Sequence, residues 1–78
     1  MCSAEKQRAE KEAARRALLE EYRAALWRLR DARAAFQQVT DPALISACIY
    51  EVNAAQDRCS YLFGRLREEQ ISNTFALR

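Results

Sequence analysis

The sequence predicts an all-α fold, a long antiparallel αα-hairpin whose two helices form a two-helix coiled coil, and three observations carry that prediction. Ala, Arg, Leu and Glu dominate a chain of 78 residues that holds one Gly and one Pro, a composition of long helices rather than of sheets or disordered tails. Apolar residues recur at alternating steps of three and four in two separate runs, which is the period of a helical seam. The single Pro, Pro42, follows Asp41 directly between those runs, where it can open a helix but not continue one.

Helix one is expected from about residue 5 to residue 38. Its seam runs Leu18, Tyr22, Ala25, Leu29, Ala32, Phe36 and Val39. Extended backwards, the same register puts Arg15 and Lys11 on the seam, so packing fades before about residue 15 and the first turns read as a solvated helical extension. The charges there alternate in sign, with Glu12 three and four residues before Arg15 and Arg16, so the segment supports itself by pairs on its own surface.

Residues 39–41 form the turn. Asp41 is the N-cap of the next helix, because its carboxylate can accept from the orphan amides at the helix start, and Pro42 takes the first helical position, where no hydrogen-bonding amide is needed. Proline also disfavours helical geometry at the residue before it. Helix two is expected from about residue 42 to 69, with a seam of Ile45, Cys48, Val52, Ala55, Cys59, Leu62 and Leu66. Residues 70–78 lose the charge pattern and read as a loose tail, in which Ile71, Phe75 and Leu77 are apolar enough to cap the open end. The whole chain is one domain.

Closing the hairpin on this turn pairs residues whose numbers sum to about 84. Val39 then meets Ile45, Phe36 meets Cys48, Ala32 meets Val52, Leu29 meets Ala55, Ala25 meets Cys59, Tyr22 meets Leu62 and Leu18 meets Leu66. Large residues mostly face small ones, as interdigitated packing requires. The thin layer is Ala25 with Cys59, which calls for close helix approach or for a side chain from another chain. Gly64 lies within helix two and faces away from the seam.

The two edges beside the seam differ. On one, Glu21 faces Arg65 and Arg28 approaches Arg58. On the other lie Leu19, Leu26, Ile49 and Phe63, which two helices cannot cover by themselves, and a contiguous exposed apolar strip marks an interface. The strip therefore predicts a homo-oligomer, a dimer of hairpins forming a four-helix bundle, or docking on another protein. Trp27 and Tyr50 point outward and join the candidate interface, since aromatic residues and Arg dominate binding hot spots, and Tyr61 also points outward.

Charge and chemistry narrow the function further. The formal net charge is only +2, and residues 1–39 carry nine Lys and Arg against six Asp and Glu. An RNA-binding dimer using Arg23, Arg28, Arg30 and Arg33 is the alternative reading, weakened by Glu20, Glu21 and Asp31 in the same helix. With no His, no nucleophile beside a base and no glycine-rich phosphate loop, the residues propose no catalytic site, hence no enzyme, and no cofactor. Cys2, Cys48 and Cys59 lack the number and spacing of a zinc site, and the last two, about 16 Å apart on one helix, cannot bridge each other. Cys48 and Cys59 read as buried small hydrophobes. No leading apolar run and no membrane-length apolar stretch are visible, so a reducing cytoplasmic setting is expected.

The segment "VTDPALISACIYEVNAAQDRCSYLFGRLRE" carries Asp41 and Pro42, Leu44 and Ile45, Ile49 to Glu51, Ala54 and Ala55, and Tyr61 and Leu62 at spacings that resemble the YaaL-like family of short Firmicutes proteins of unknown function. Helix one matches loosely through "EEYRAALWRLRDARAAF", and the chain departs from the pattern at Cys59 and at "FGRLREE". The resemblance implies a cytoplasmic bacterial protein without an assigned activity. The function expected from the residues is that of a small non-enzymatic interaction or adaptor module that self-associates.

Overall fold

The computed structural model describes the backbone of residues 2–76 and the side chains of residues 3–70. It consists of two α-helices, α1 (Cys2–Gln38) and α2 (Pro42–Ala76), which pack side by side along a rod 62 Å long and 20 Å wide. A radius of gyration of 17.9 Å exceeds the roughly 11 to 12 Å of a compact domain of this length. The elongation follows from having two long helices and no third layer.

The turn occupies residues 39–41 and is held by Asp41. The backbone N–H of Ala43 donates to Asp41 Oδ1 at 3.0 Å, and the N–H groups of Leu44 and Ile45 both donate to the Asp41 carbonyl oxygen at 3.0 Å. Asp41 thus satisfies two of the donors that a helix start leaves without partners, those of Ala43 and Leu44, its carbonyl also accepts the first regular helical bond from Ile45, and Pro42 removes a further donor by having none.

The seam packs in the register expected from its spacing. Ala25, Leu29, Cys59 and Leu62 form the buried core cluster, with Leu18, Tyr22, Val52 and Ala55 packed against it. Ala25 is the most enclosed residue of that cluster at 3% exposure, and its partner Cys59 is 8% exposed. The thin layer therefore needs no insertion from another chain, because the small pair is covered by the two helices and their larger neighbours. Cys48 and Cys59 are buried free thiols, acting as small apolar side chains. Among the described residues no polar or charged side chain is buried.

Two expectations are corrected. Phe36 is 40% exposed although its spacing puts it on the seam. It covers one side of the buried Cys48 and, with Ile49, Val52 and Asn53, lines a hollow of about 180 Å³. The expected loose tail is helical as far as Ala76. Between Gln70 and Ala76 no Gly or Pro interrupts the chain, and an established helix gains one hydrogen bond for each residue it adds. The side chains of Ile71 and Phe75, and Leu77 as a whole, lie outside the described residues.

Because Leu29 fills a layer against Ala55, Leu29→Ala should lower stability by about 2 to 5 kcal/mol in urea unfolding followed by circular dichroism. Asp41→Ala should cost about 0.5 to 2 kcal/mol in the same assay through loss of the cap.

Candidate interaction face

A two-helix rod has two edges, and the seam register decides which side chains stand on each. Residues one position after Leu18, Ala25, Cys48 and Leu62 fall on a common edge, and these are Leu19, Leu26, Ile49 and Phe63. All four are 37 to 49% exposed, although they are large and apolar. Tyr22 reaches toward this edge from the seam, its ring centroid 5.9 Å from that of Phe63 at a tilt of 39°. Phe36 lines one hollow with Ile49 of the same edge. The strip thus runs about 25 Å along α1 from Leu19 to Phe36.

Sequence reading missed how the charges divide between the edges. Arg16, Arg23 and Arg30 recur every seven residues, so they stand in one row on α1 beside the apolar strip, with steps of about 10.5 Å. Arg23 and Arg30 flank Leu26 and Trp27 around one surface hollow, and the Arg30 guanidinium lies 5.1 Å from the Trp27 ring centroid, a cation–π contact. Arg33 follows Ala32 as Leu26 follows Ala25, so it shares the line of the strip, and Arg67 ends the same edge on α2.

The carboxylates between residues 16 and 67 are elsewhere. Glu21, Asp31, Glu51 and Asp57 line two adjoining hollows of about 530 Å³ each on the opposite edge, floored by Ala24, Ala25, Ala32, Ala35, Ala54 and Ala55. Arg28 and Arg58 stand among those carboxylates, which offsets their mutual repulsion. Asp41 caps α2, and Glu20 lies on the back of α1. Between residues 19 and 67 one edge is therefore apolar with only arginines among its charges, Glu20 beside Arg23 being the nearest carboxylate on α1, whereas the other is small-residue and mixed in sign.

This division regroups the expected site residues. Arg23, Arg30 and Arg33 share the apolar edge, but Arg28 belongs to the other one, so the four do not form one face. Trp27 at 60% and Tyr50 at 79% exposure stand on the outer backs of the two helices rather than on the strip. Tyr61 lies on the mixed edge and accepts a hydrogen bond from Arg65 at 3.1 Å, a bond that raises the Arg65 pKa above its ordinary value.

Compared with protein-family models, curated proteins and solved structures, the chain matches none.

Among the described residues, no group of three or more Cys, Asp or Glu is placed to hold a metal ion, and no helix is long and apolar enough to cross a membrane. Gly64 has open space where a Cβ would stand, and its backbone conformation is not one that requires glycine. Gly64→Ala should therefore raise stability by about 1 kcal/mol, the helix-propensity difference, read as a higher urea midpoint at unchanged slope.

Proposed function

We propose that this chain is a non-enzymatic protein–protein interaction module, which presents the strip of Leu19, Leu26, Ile49 and Phe63 on a rigid hairpin to another helical surface. The observation that carries the reading is the exposure of four large apolar residues along one edge while the seam beside them is already filled. A soluble monomer gains nothing from such a strip, and a helix laid along it would turn a two-helix rod into a bundle with a true interior. The mate is either a second copy of the hairpin, giving the four-helix bundle, or a different protein. The reading includes kinship with the YaaL-like family on residues 39–68, and with it a bacterial cytoplasmic setting.

Binding of RNA is the second reading, favoured by Arg23 and Arg30 beside the exposed Trp27. Aromatic rings with flanking guanidinium groups serve single-stranded nucleic acid well. The strip itself counts against it, since aliphatic side chains have nothing to exchange with phosphates.

A photo-crosslinking residue separates these readings in cells. Placed at Leu26, it should trap a protein in an adduct that survives nuclease; placed at Ala54 on the opposite edge, it should trap none. An adduct that disappears with nuclease would transfer the site to nucleic acid, and equal trapping from both positions would remove the strip as the interface.

A further inference from the structure

Resting on the reading of the strip as a protein interface, we infer that its partner is an amphipathic helix with a row of carboxylates along one flank, and not a second copy of this chain. The inference comes from charge complementarity. The apolar edge carries Arg16, Arg23, Arg30, Arg33 and Arg67; Glu12 and Glu20 stand beside the first two, and every other Asp and Glu between residues 16 and 67 lies away from the edge. Two copies meeting through this edge would set Arg30, Arg33 and Arg67 of one against the same arginines of the other, the nearest carboxylates, Glu12 and Glu20, standing beside Arg16 and Arg23 at the far end of α1. Like charges brought together at the border of a desolvated contact are a device for rejecting a mate.

The pattern of the charges identifies the class of partner. Four of the five arginines belong to α1, so the positive row runs along one side of the strip, while the α2 side holds the neutral Asn53 and Ser60. The seven-residue spacing of Arg16, Arg23 and Arg30 matches a second helix lying alongside, whose flanking residues recur with the same period. Charged flanks of this kind choose partners and orientation in helical assemblies. Arg also suits carboxylates in particular, through two parallel hydrogen bonds from its planar head.

Other anionic surfaces fit less well. A bilayer would attract charge on both sides of the strip and would have to cover Gln56, which follows Ala55 onto the same edge, without returning a hydrogen bond. A nucleic-acid strand would leave the apolar strip facing charge.

The test uses the full chain and two synthetic helical peptides of about three heptads, with Leu at the seam positions and either Glu or Lys along the flanks. The parent should bind the Glu peptide at least about tenfold more tightly than the Lys peptide, with affinity falling as salt rises. The double variant Arg23→Glu, Arg30→Glu, altered only at exposed positions, should reverse that preference while keeping its helical circular dichroism. Arg28→Glu, on the other edge, should bind as the parent does. The inference is overturned if the double variant binds like the parent, if the two peptides bind equally, or if vesicles of anionic phospholipid or a single-stranded RNA bind the strip in preference to the Glu peptide. Sedimentation equilibrium of the parent alone completes the test. A dimer abolished by Leu26→Arg assigns the strip to a second copy, overturning the acidic helix while the interaction reading stands. Absence of both a dimer and any peptide binding removes both.

Discussion

Two helices share one seam, and that single geometric constraint governs the rest of this molecule. Only side chains pointing between the axes can be covered, so the core is one row of residues wide, centred on Ala25, Leu29, Cys59 and Leu62. A third layer would have enclosed the edges as well. Without it, even Leu29 keeps contact with solvent, and Leu19, Leu26, Ile49 and Phe63 remain more than one third exposed. A core so narrow leaves small stability to spare.

The same constraint explains how the layers are filled. Where both facing residues are small, as at Ala25 and Cys59, the neighbours Leu29, Leu62 and Tyr22 close over them from the adjacent layers, and the pair becomes the most protected part of the rod. At the Phe36 layer the small member, Cys48, is buried at 8% exposure, whereas the ring that faces it is 40% exposed. Volume alone does not decide burial in a two-helix rod. The small member of a layer is enclosed by its larger partner, while the larger one reaches beyond the width that two helices can cover.

Most of the fold was legible because three local signals agreed on it: the alternating seam, the cap at Asp41 and the helix-starting Pro42. The misread parts had no such agreement. The tail after Gln70 lost its charge pattern, yet a helix ends at a stop signal rather than at a change of charge, and none was present before Ala76. Phe36 obeyed the period but exceeded the space, which periodicity does not measure. The face of the molecule was half legible. Its apolar members followed from the register, whereas its arginines were summed over whole segments of chain, so that Glu20, Glu21 and Asp31 seemed to cancel them. Sorting each charge by its offset from the seam, a signal present in the sequence throughout, separates Arg23 and Arg30 from Arg28 and removes every one of those acids from the strip.

That separation bears on why the hairpin is made of helices this long. A charge on a helix acts mainly on what lies within about 8 to 10 Å at physiological salt, so carboxylates on the far edge of a rod 20 Å wide are largely screened from a ligand on the near edge. The chain is close to neutral overall, at +2, and still offers one strongly basic edge. A small compact domain of the same composition would blur the two signs together. A rod keeps them apart, and it does so with no buried ion pair among its described residues and no desolvation of charge, since none of the charged side chains described is buried. The long seam, thin as it is, thus holds the two rows of opposite character at a fixed distance and orientation. On this view the unbroken course of α1 between Arg16 and Arg33 is a binding property as much as a structural one, because a ladder in seven-residue steps recognises another helix only while its own helix stays regular.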